Sequence, residues 1–497
     1  MEYVSTRDRS LRVSAAKAIA TGIAPDGGLF CPTEFPRLSS GEWQALTGMD
    51  YKARAAFVLG KYLTDFTAEE LKGFADKAYA DEKFGGADTA PVVKLADGKY
   101  MLELWHGPTC AFKDMALQML PHLLTASLRK TGETRTACIL VATSGDTGKA
   151  ALDGFADVPG TKIMVYYPVD GVSTIQKLQM VTQEGANVAV CAIRGNFDDA
   201  QSAVKRIFTD KGTLDKLDRE GLTLSSANSI NWGRLAPQIA YYISAYCDLV
   251  NRGEVKMGDP INVCVPTGNF GNILAAYFAK QMGLPVNKFI CASNQNNVLT
   301  DFFKKGGTYD RNRDFYTTAS PSMDILISSN LERLLFYVSG QNDKAVAEMM
   351  ASLSSSGKYT LARELFARVE AEFDAGCADD AATAETIRRL FQQEHYLCDT
   401  HTAVAVKVYE DYRARTGDCT PAVIASTASP FKFCQSVIEA LGGTVDTDGV
   451  GLLGQLSGMT GVPAPAPLAA LAGKEPRFDM VVDKDDILST TGLLRDL

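Results

Sequence analysis

Lys113 stands in the run Trp105-His106-Gly107-Pro108-Thr109-Cys110-Ala111-Phe112-Lys113-Asp114, with Met115 and Leu117 just beyond. Most lysines are solvated surface residues. One packed among aromatic and apolar neighbours loses hydration, its pKa falls, and its amine becomes nucleophilic towards aldehydes. His106 and Cys110 of the same run are open to a catalytic reading, although packing is the commoner role for such residues.

Three further loops carry residues suited to anions. Gly268-Asn269-Phe270-Gly271-Asn272 follows the apolar run Ile261–Val265 and opens the helical stretch Ile273–Lys280. Glycine lets the backbone approach a ligand closely, and a helix N-terminus offers unpaired N–H groups at the positive end of a dipole. A phosphate fits there, and an ordinary Gly-rich turn is the alternative. Thr143-Ser144-Gly145-Asp146-Thr147-Gly148-Lys149 also joins an apolar run to a helical one. It is not a nucleotide P-loop, because Thr143 stands where that motif needs its first glycine and Ala150 where it needs Ser or Thr. Its hydroxyls suit a carboxylate or phosphate. Ser226-Ala227-Asn228-Ser229-Ile230-Asn231-Trp232-Gly233-Arg234 precedes the helical stretch Leu235–Leu249. A Ser or Asn cap explains one of these residues, whereas the whole run with its arginine fork suits a phosphate.

These loops need a frame. Short apolar runs at Ala137–Ala142, Ile163–Tyr167, Val188–Ile193, Ile261–Val265, Phe289–Ala292 and Val423–Ala425 alternate with helical spacing. That is the pattern of βαβ units and mostly parallel sheets, whose ligands bind at the carboxyl ends of the strands. Two sheets are expected, one within residues 137–225 and one from flanking segments. Residues 340–395 read as helical, and Pro463–Pro467 as a linker.

The chain has 497 residues and a formal net charge of −9, with no clustered basic run, which argues against a nucleic-acid partner. Its 11 cysteines show no CxxC pair and read as reduced thiols. No apolar run reaches membrane-spanning length and the N-terminus does not read as a signal peptide, so a cytoplasmic protein is expected.

In this order, the loops resemble the threonine synthase family, pyridoxal-phosphate enzymes of fold type II. The resemblance begins with Tyr3-Val4-Ser5-Thr6-Arg7 and Gly22–Leu29, then runs through the lysine loop, SGDTG at 144–148, SANSIN at 226–231 and GNFGN at 268–272. It continues into Ser320-Pro321-Ser322-Met323-Asp324-Ile325 and Ser328-Ser329-Asn330-Leu331-Glu332-Arg333. The N-terminal signature and the last two stretches separate this family from siblings that share the lysine and Gly-loop logic. The chain departs from it at Ala428-Ser429-Pro430 and Asp399-Thr400-His401, so His401 stays outside the expected site.

The resemblance implies an α/β protein with two parallel-sheet domains and an N-terminal family-specific domain. The expected division is 1–95 (N-terminal), 96–135 with 226–460 (large, cofactor-binding), 136–225 (small) and 461–497 (extension). It implies that Lys113 carries pyridoxal 5'-phosphate covalently and acts as the catalytic base. Gly268, Asn269, Phe270, Gly271 and Asn272 would hold the cofactor phosphate, and Thr427 the pyridine nitrogen. Ser144, Thr147, Ser229, Asn231 and Arg234 would grip O-phospho-L-homoserine, and no metal is implied. The implied reaction, the last step of threonine biosynthesis, gives threonine and phosphate. Monomer and dimer stay open. The rival readings are a fold type II dehydratase, a nucleotide-dependent phosphotransferase and a catalytically silent binding protein.

Overall fold

Apolar runs too short for a helix and covered on both faces become parallel strands, because a strand buried on both sides needs no polar alternation. A computed structural model, describing residues 1–86, 88–169, 171–195 and 197–497 without the side chains of Phe197 and Asp198, bears this out. Thr136–Ala142, Thr161–Pro168, Val188–Arg194, Leu222–Ser225 and Val481–Asp483 form one wholly parallel sheet. Thr136–Ala142 is flanked by Thr161–Pro168 and Leu222–Ser225. Helices Asp146–Phe155, Thr174–Val181 and Phe197–Thr209 lie between its successive strands in sequence.

The second sheet runs Phe373–Cys377, Val286–Ser293, Ile261–Pro266, Ala422–Ser426, Lys99–Glu103, Val92–Lys94 in spatial order. Its first five strands are parallel and the last is antiparallel. The fold is α/β with two parallel sheets, as expected.

Three elements differ from the sequence reading. Lys99–Glu103 is a fully buried strand that begins and ends on charges. Lys99 Nζ is neutralised by Glu394 at 2.6 Å and Glu410 at 3.0 Å, and Glu103 accepts from the Tyr396 hydroxyl at 3.0 Å. Within 340–395 the helices Asp343–Ser356, Arg363–Glu372 and Asp380–Glu394 are present, but strands Lys358–Thr360 and Phe373–Cys377 interrupt them. The C-terminal residues do not stand apart from the small sheet. Val481–Asp483 pairs with 192–194, and Ile487 and Leu494 are fully buried in that sheet's core.

The N-terminal region forms an antiparallel sheet of Tyr3–Ser5, Arg12–Val13 and Phe30–Pro32. Buried Trp232 fixes it to the rest through ring contacts with Tyr3 (5.4 Å), Tyr62 (5.6 Å) and Phe278 (5.3 Å). Among the described residues no helix is long and apolar enough to cross a membrane.

Candidate active site

The lysine loop is tied to the end of the strand Ala422–Ser426. The Phe112 N–H donates to the Thr427 carbonyl at 2.8 Å, the Ser429 N–H to the Cys110 carbonyl at 3.0 Å, and Ala111 bridges Ala428. Cys110 turns the chain at φ 60°, in the left-handed region. Burial pushes its thiol up to about 12, so it stays protonated at neutral pH and is no nucleophile. His106 bonds Glu103 at 2.7 Å and stacks on Trp105, which is a structural role. Ser429 caps the turn Pro430–Phe433 through Phe431 N–H at 3.3 Å.

Lys113 Nζ lies 4.0 Å from the centroid of the Phe112 ring, and no acceptor for it is found among the described residues. Desolvation, helped by the Arg234 and Lys432 charges against an opposing Asp146, brings its pKa down to about 7. A large share of the amine is therefore unprotonated at neutral pH, as a nucleophile or base requires.

Arg234 is buried. It donates to the Ala227 carbonyl at 2.8 Å and to Thr147 Oγ1 at 3.2 Å, and no carboxylate pairs with it among the described residues. Burial lowers its pKa to about 10. A buried cation with only neutral partners is costly until an anion arrives. Half-buried Ser144 lies in the same turn as Thr147. That turn is shaped by Thr143 Oγ1, which accepts from Gly145 N–H (2.9 Å) and Gly148 N–H (2.8 Å). Gly145 sits at φ +128°, where a Cβ would meet the Gln176 amide at 2.4 Å, so the turn requires glycine.

The Gly-rich loop meets the helix Gly271–Gln281 at Phe270, whose φ is 64°. Its carbonyls are engaged from one side: Ser328 Oγ donates to Gly268 O at 2.7 Å, and Asn330 donates its N–H and Nδ2 to Asn269 O at 3.1 Å each. The N–H groups of Asn269, Phe270, Gly271 and Asn272 find no acceptor among the described residues. Asn272 Oδ1 accepts from both Tyr241 and Tyr242, while its Nδ2 is buried without a partner. Arg333, fully buried, braces Asn330 and also donates to Ile230 O (2.6 Å) and Phe30 O (3.0 Å). Glu332 receives Thr6 Oγ1 and a two-pronged contact from Arg7, at 2.8 Å in each prong. The SSNLER stretch thus joins the Gly loop, the SANSIN run and the N-terminal strand.

Thr427 is buried, and its hydroxyl has no partner among the described residues. Ser229 lies against Gly271, its Cβ 3.9 Å from where a Cβ there would be. Asn231 is committed elsewhere. Its Nδ2 donates to Ile19 O (3.0 Å) and Ser226 O (3.3 Å), and its Oδ1 caps Gly233 N–H (2.9 Å). It shapes the SANSIN turn, and no amide donor is left over for a ligand.

Lys432 lies outside the set of residues expected at the site. Fully buried, it donates to the Thr109 carbonyl at 2.8 Å and pairs with Asp146 at 2.9 Å, joining the lysine loop to the SGDTG turn. A lysine between Phe431 and Phe433 carries the signal that marked Lys113 beside Phe112.

A family model described as "Pyridoxal-phosphate dependent enzyme" matches residues 100–426, flanked by "Threonine synthase N terminus" over 2–79 and "Threonine synthase, C-terminal" over 402–489. A threonine synthase of Pseudomonas aeruginosa is 37% identical over 444 residues, covering 88% of this chain and 90% of that protein. The chain belongs to the threonine synthase family. The crystal structure of a pyridoxal-phosphate-bound threonine synthase from Brucella melitensis aligns with a TM-score of 0.88 at 36% identity, over 100% of this chain and 99% of that one. The human protein named Threonine synthase-like 1 is 42% identical over 456 residues, and the chain spans 60% of that relative's length.

The cofactor of this threonine synthase family member is pyridoxal phosphate, and the residues present fit it. Lys113 offers an amine with a depressed pKa, Asn269 to Asn272 offer unpaired N–H groups at a helix N-terminus, and Asn272 Nδ2 is an orphaned donor beside them. Two results are expected of the apo-protein. If Lys113 takes up the cofactor, the rate of pyridoxal-phosphate uptake rises with pH through about 7 and levels above, because only an unprotonated lysine amine attacks an aldehyde. A midpoint near 10 in stopped-flow absorbance would show an ordinary solvated lysine. Gly268→Ala weakens cofactor binding about tenfold or more, since the new Cβ would stand 2.7 Å from the Ser322 carbonyl and displace the loop. Equilibrium titration of the apo-protein reads this, and unchanged affinity would remove the loop from the cofactor site.

Proposed function

We propose that this chain is a lyase that converts O-phospho-L-homoserine and water to L-threonine and phosphate, closing threonine biosynthesis in the cytoplasm. The observation that carries the reading is Arg234, a buried guanidinium without a carboxylate partner whose charge bears on Lys113. The Gly-rich loop accounts for the cofactor phosphate, and Arg234 supports a second anion in the same pocket. A dehydratase acting on an amino acid without a phosphate has no use for that clamp.

Lys113 would hold pyridoxal phosphate, which would supply an electron sink for the charge that develops on the substrate. The Lys113 amine takes the Cα proton and then moves protons at Cβ and Cγ. Arg234 holds the γ-phosphate by charge-assisted hydrogen bonds and keeps hold as the C–O bond breaks. Thr147 orients Arg234, Ser144 receives the carboxylate, and Asn231 keeps Ser229 and Arg234 in register. Ser229, against Gly271, serves the cofactor side of the pocket. Thr427 offers its hydroxyl to the ring nitrogen, which leaves that nitrogen largely neutral. Water adds at Cβ to complete threonine.

The test is incubation with O-phospho-L-homoserine, quantifying phosphate and threonine. Equal amounts of both support the reading. Phosphate with a keto acid in place of threonine would replace it by elimination without rehydration, and absence of both products would end it.

A further inference from the structure

We propose that His401 is a positioning residue for the cofactor-phosphate loop, acting through Ser322. His401 is 3% exposed, near the start of the helix Thr400–Thr416. Its Nδ1 bonds Asp399 Oδ2 at 2.7 Å, and its Nε2 faces the Ser322 N–H at 3.1 Å. A carboxylate only accepts, so Nδ1 carries the proton and Nε2 accepts from Ser322, and one neutral tautomer satisfies both contacts. Asp399 is itself fixed, accepting from His401 N–H (3.0 Å), Thr402 N–H (3.1 Å) and the Thr402 hydroxyl. The Phe433 ring packs beside the imidazole at 4.9 Å.

What His401 holds is the back wall of the Gly-rich loop. The Ser322 carbonyl would be 2.7 Å, and Met323 Cα 3.5 Å, from a Cβ placed on Gly268. That peptide is packed onto the Gly268 Cα. The next part of the segment is anchored independently. Asp324 accepts from Thr318 N–H (3.0 Å), Thr318 Oγ1 (2.8 Å), Asn294 Nδ2 (2.7 Å) and Asn296 Nδ2 (2.9 Å), and Ser328 holds the Gly268 carbonyl. Ser322 depends on His401 for its N–H acceptor. Without it the part-buried N–H loses its acceptor and the wall shifts, altering the direction of the N–H groups from Asn269 to Asn272. The Thr427 N–H reaches the far side of this network, donating to Thr402 Oγ1 at 3.3 Å, but Lys113 and the Thr427 hydroxyl make no contact with His401 or Ser322, so the larger effect falls on the phosphate and not on the ring.

The inference rests on the assignment of Gly268–Asn272 to the cofactor phosphate, and a comparison of two ligands tests the two separately. Apo-proteins are titrated with pyridoxal phosphate and with pyridoxal, which lacks the phosphate, and binding is followed by absorbance. His401→Ala is expected to weaken pyridoxal phosphate about tenfold or more while pyridoxal changes less than about twofold. His401→Gln, which carries an amide oxygen in the place of Nε2, retains most of the affinity. His401→Asn, whose amide reaches only the place of Nδ1, behaves like alanine. Equal loss of both ligands means a general structural role and overturns the proposal, as does undiminished binding by His401→Ala or a glutamine variant no better than alanine. Gly268→Ala is the control for the underlying assignment. If it too fails to discriminate between the ligands, the loop assignment falls and the proposal with it.

Discussion

Lys113→Ala is expected to lower threonine release from O-phospho-L-homoserine by at least about a thousandfold, because on the proposed mechanism the variant loses both the covalent anchor of the cofactor and the base at Cα. Lys113→Arg should fare no better. A guanidinium stays protonated at any working pH, so it neither attacks an aldehyde nor accepts a proton. The burial and neighbouring charges that bring Lys113 to about 7 cannot make an arginine basic in the useful range. The measurement is single-turnover quantification of threonine and phosphate, with circular dichroism to show that the variants fold. Lys113 is half-buried at a loop end and its side chain makes no hydrogen bond among the described residues, so replacing that side chain should cost little stability. A folded Lys113→Ala protein retaining more than about a tenth of the wild-type rate would remove Lys113 from the chemistry.

The parts of this site that a sequence exposes are those whose physics is local. The run Val188–Ile193 becomes the strand Val188–Arg194, and Ile261–Val265 becomes Ile261–Pro266, because period and burial are written into neighbouring residues. The Gly-rich loop is legible for the same reason, since close backbone approach and a helix start both need particular residues at particular places. Lys99–Glu103 was not legible. What makes that charged segment a buried strand is Glu394, Glu410 and Tyr396, about 300 residues away in sequence. Asn231 matched an anion-binding run by type, but its donors are spent on Ile19 and Ser226, which only the fold reveals. The SSNLER stretch could be matched but not interpreted, because its partners Thr6, Arg7 and Phe30 lie more than 300 residues upstream. Lys432 and His401 stand outside the expected site for the same reason. Each acts through a contact with a distant loop, at Asp146 and at Ser322.

Arg234→Ala should separate substrate from cofactor. Loss of the proposed buried, charge-assisted clamp is expected to raise KM for O-phospho-L-homoserine by about a hundredfold. The dissociation constant for pyridoxal phosphate should change less than about threefold, because the Gly-rich loop does not depend on this side chain for its hydrogen bonds. A second readout follows from the field Arg234 exerts. After desolvation, its charge is the largest influence lowering the Lys113 pKa, so its removal moves the midpoint of cofactor uptake upwards from about 7. Arg234→Lys should keep the midpoint low, since it preserves the charge, yet recover only part of the affinity, since an ammonium cannot grip a phosphate with a planar fork. If instead Arg234→Ala weakened cofactor and substrate equally, the guanidinium would belong to the cofactor phosphate. The pocket would then have no second anion clamp, and the case for a phosphorylated substrate over an unphosphorylated one would lose its support.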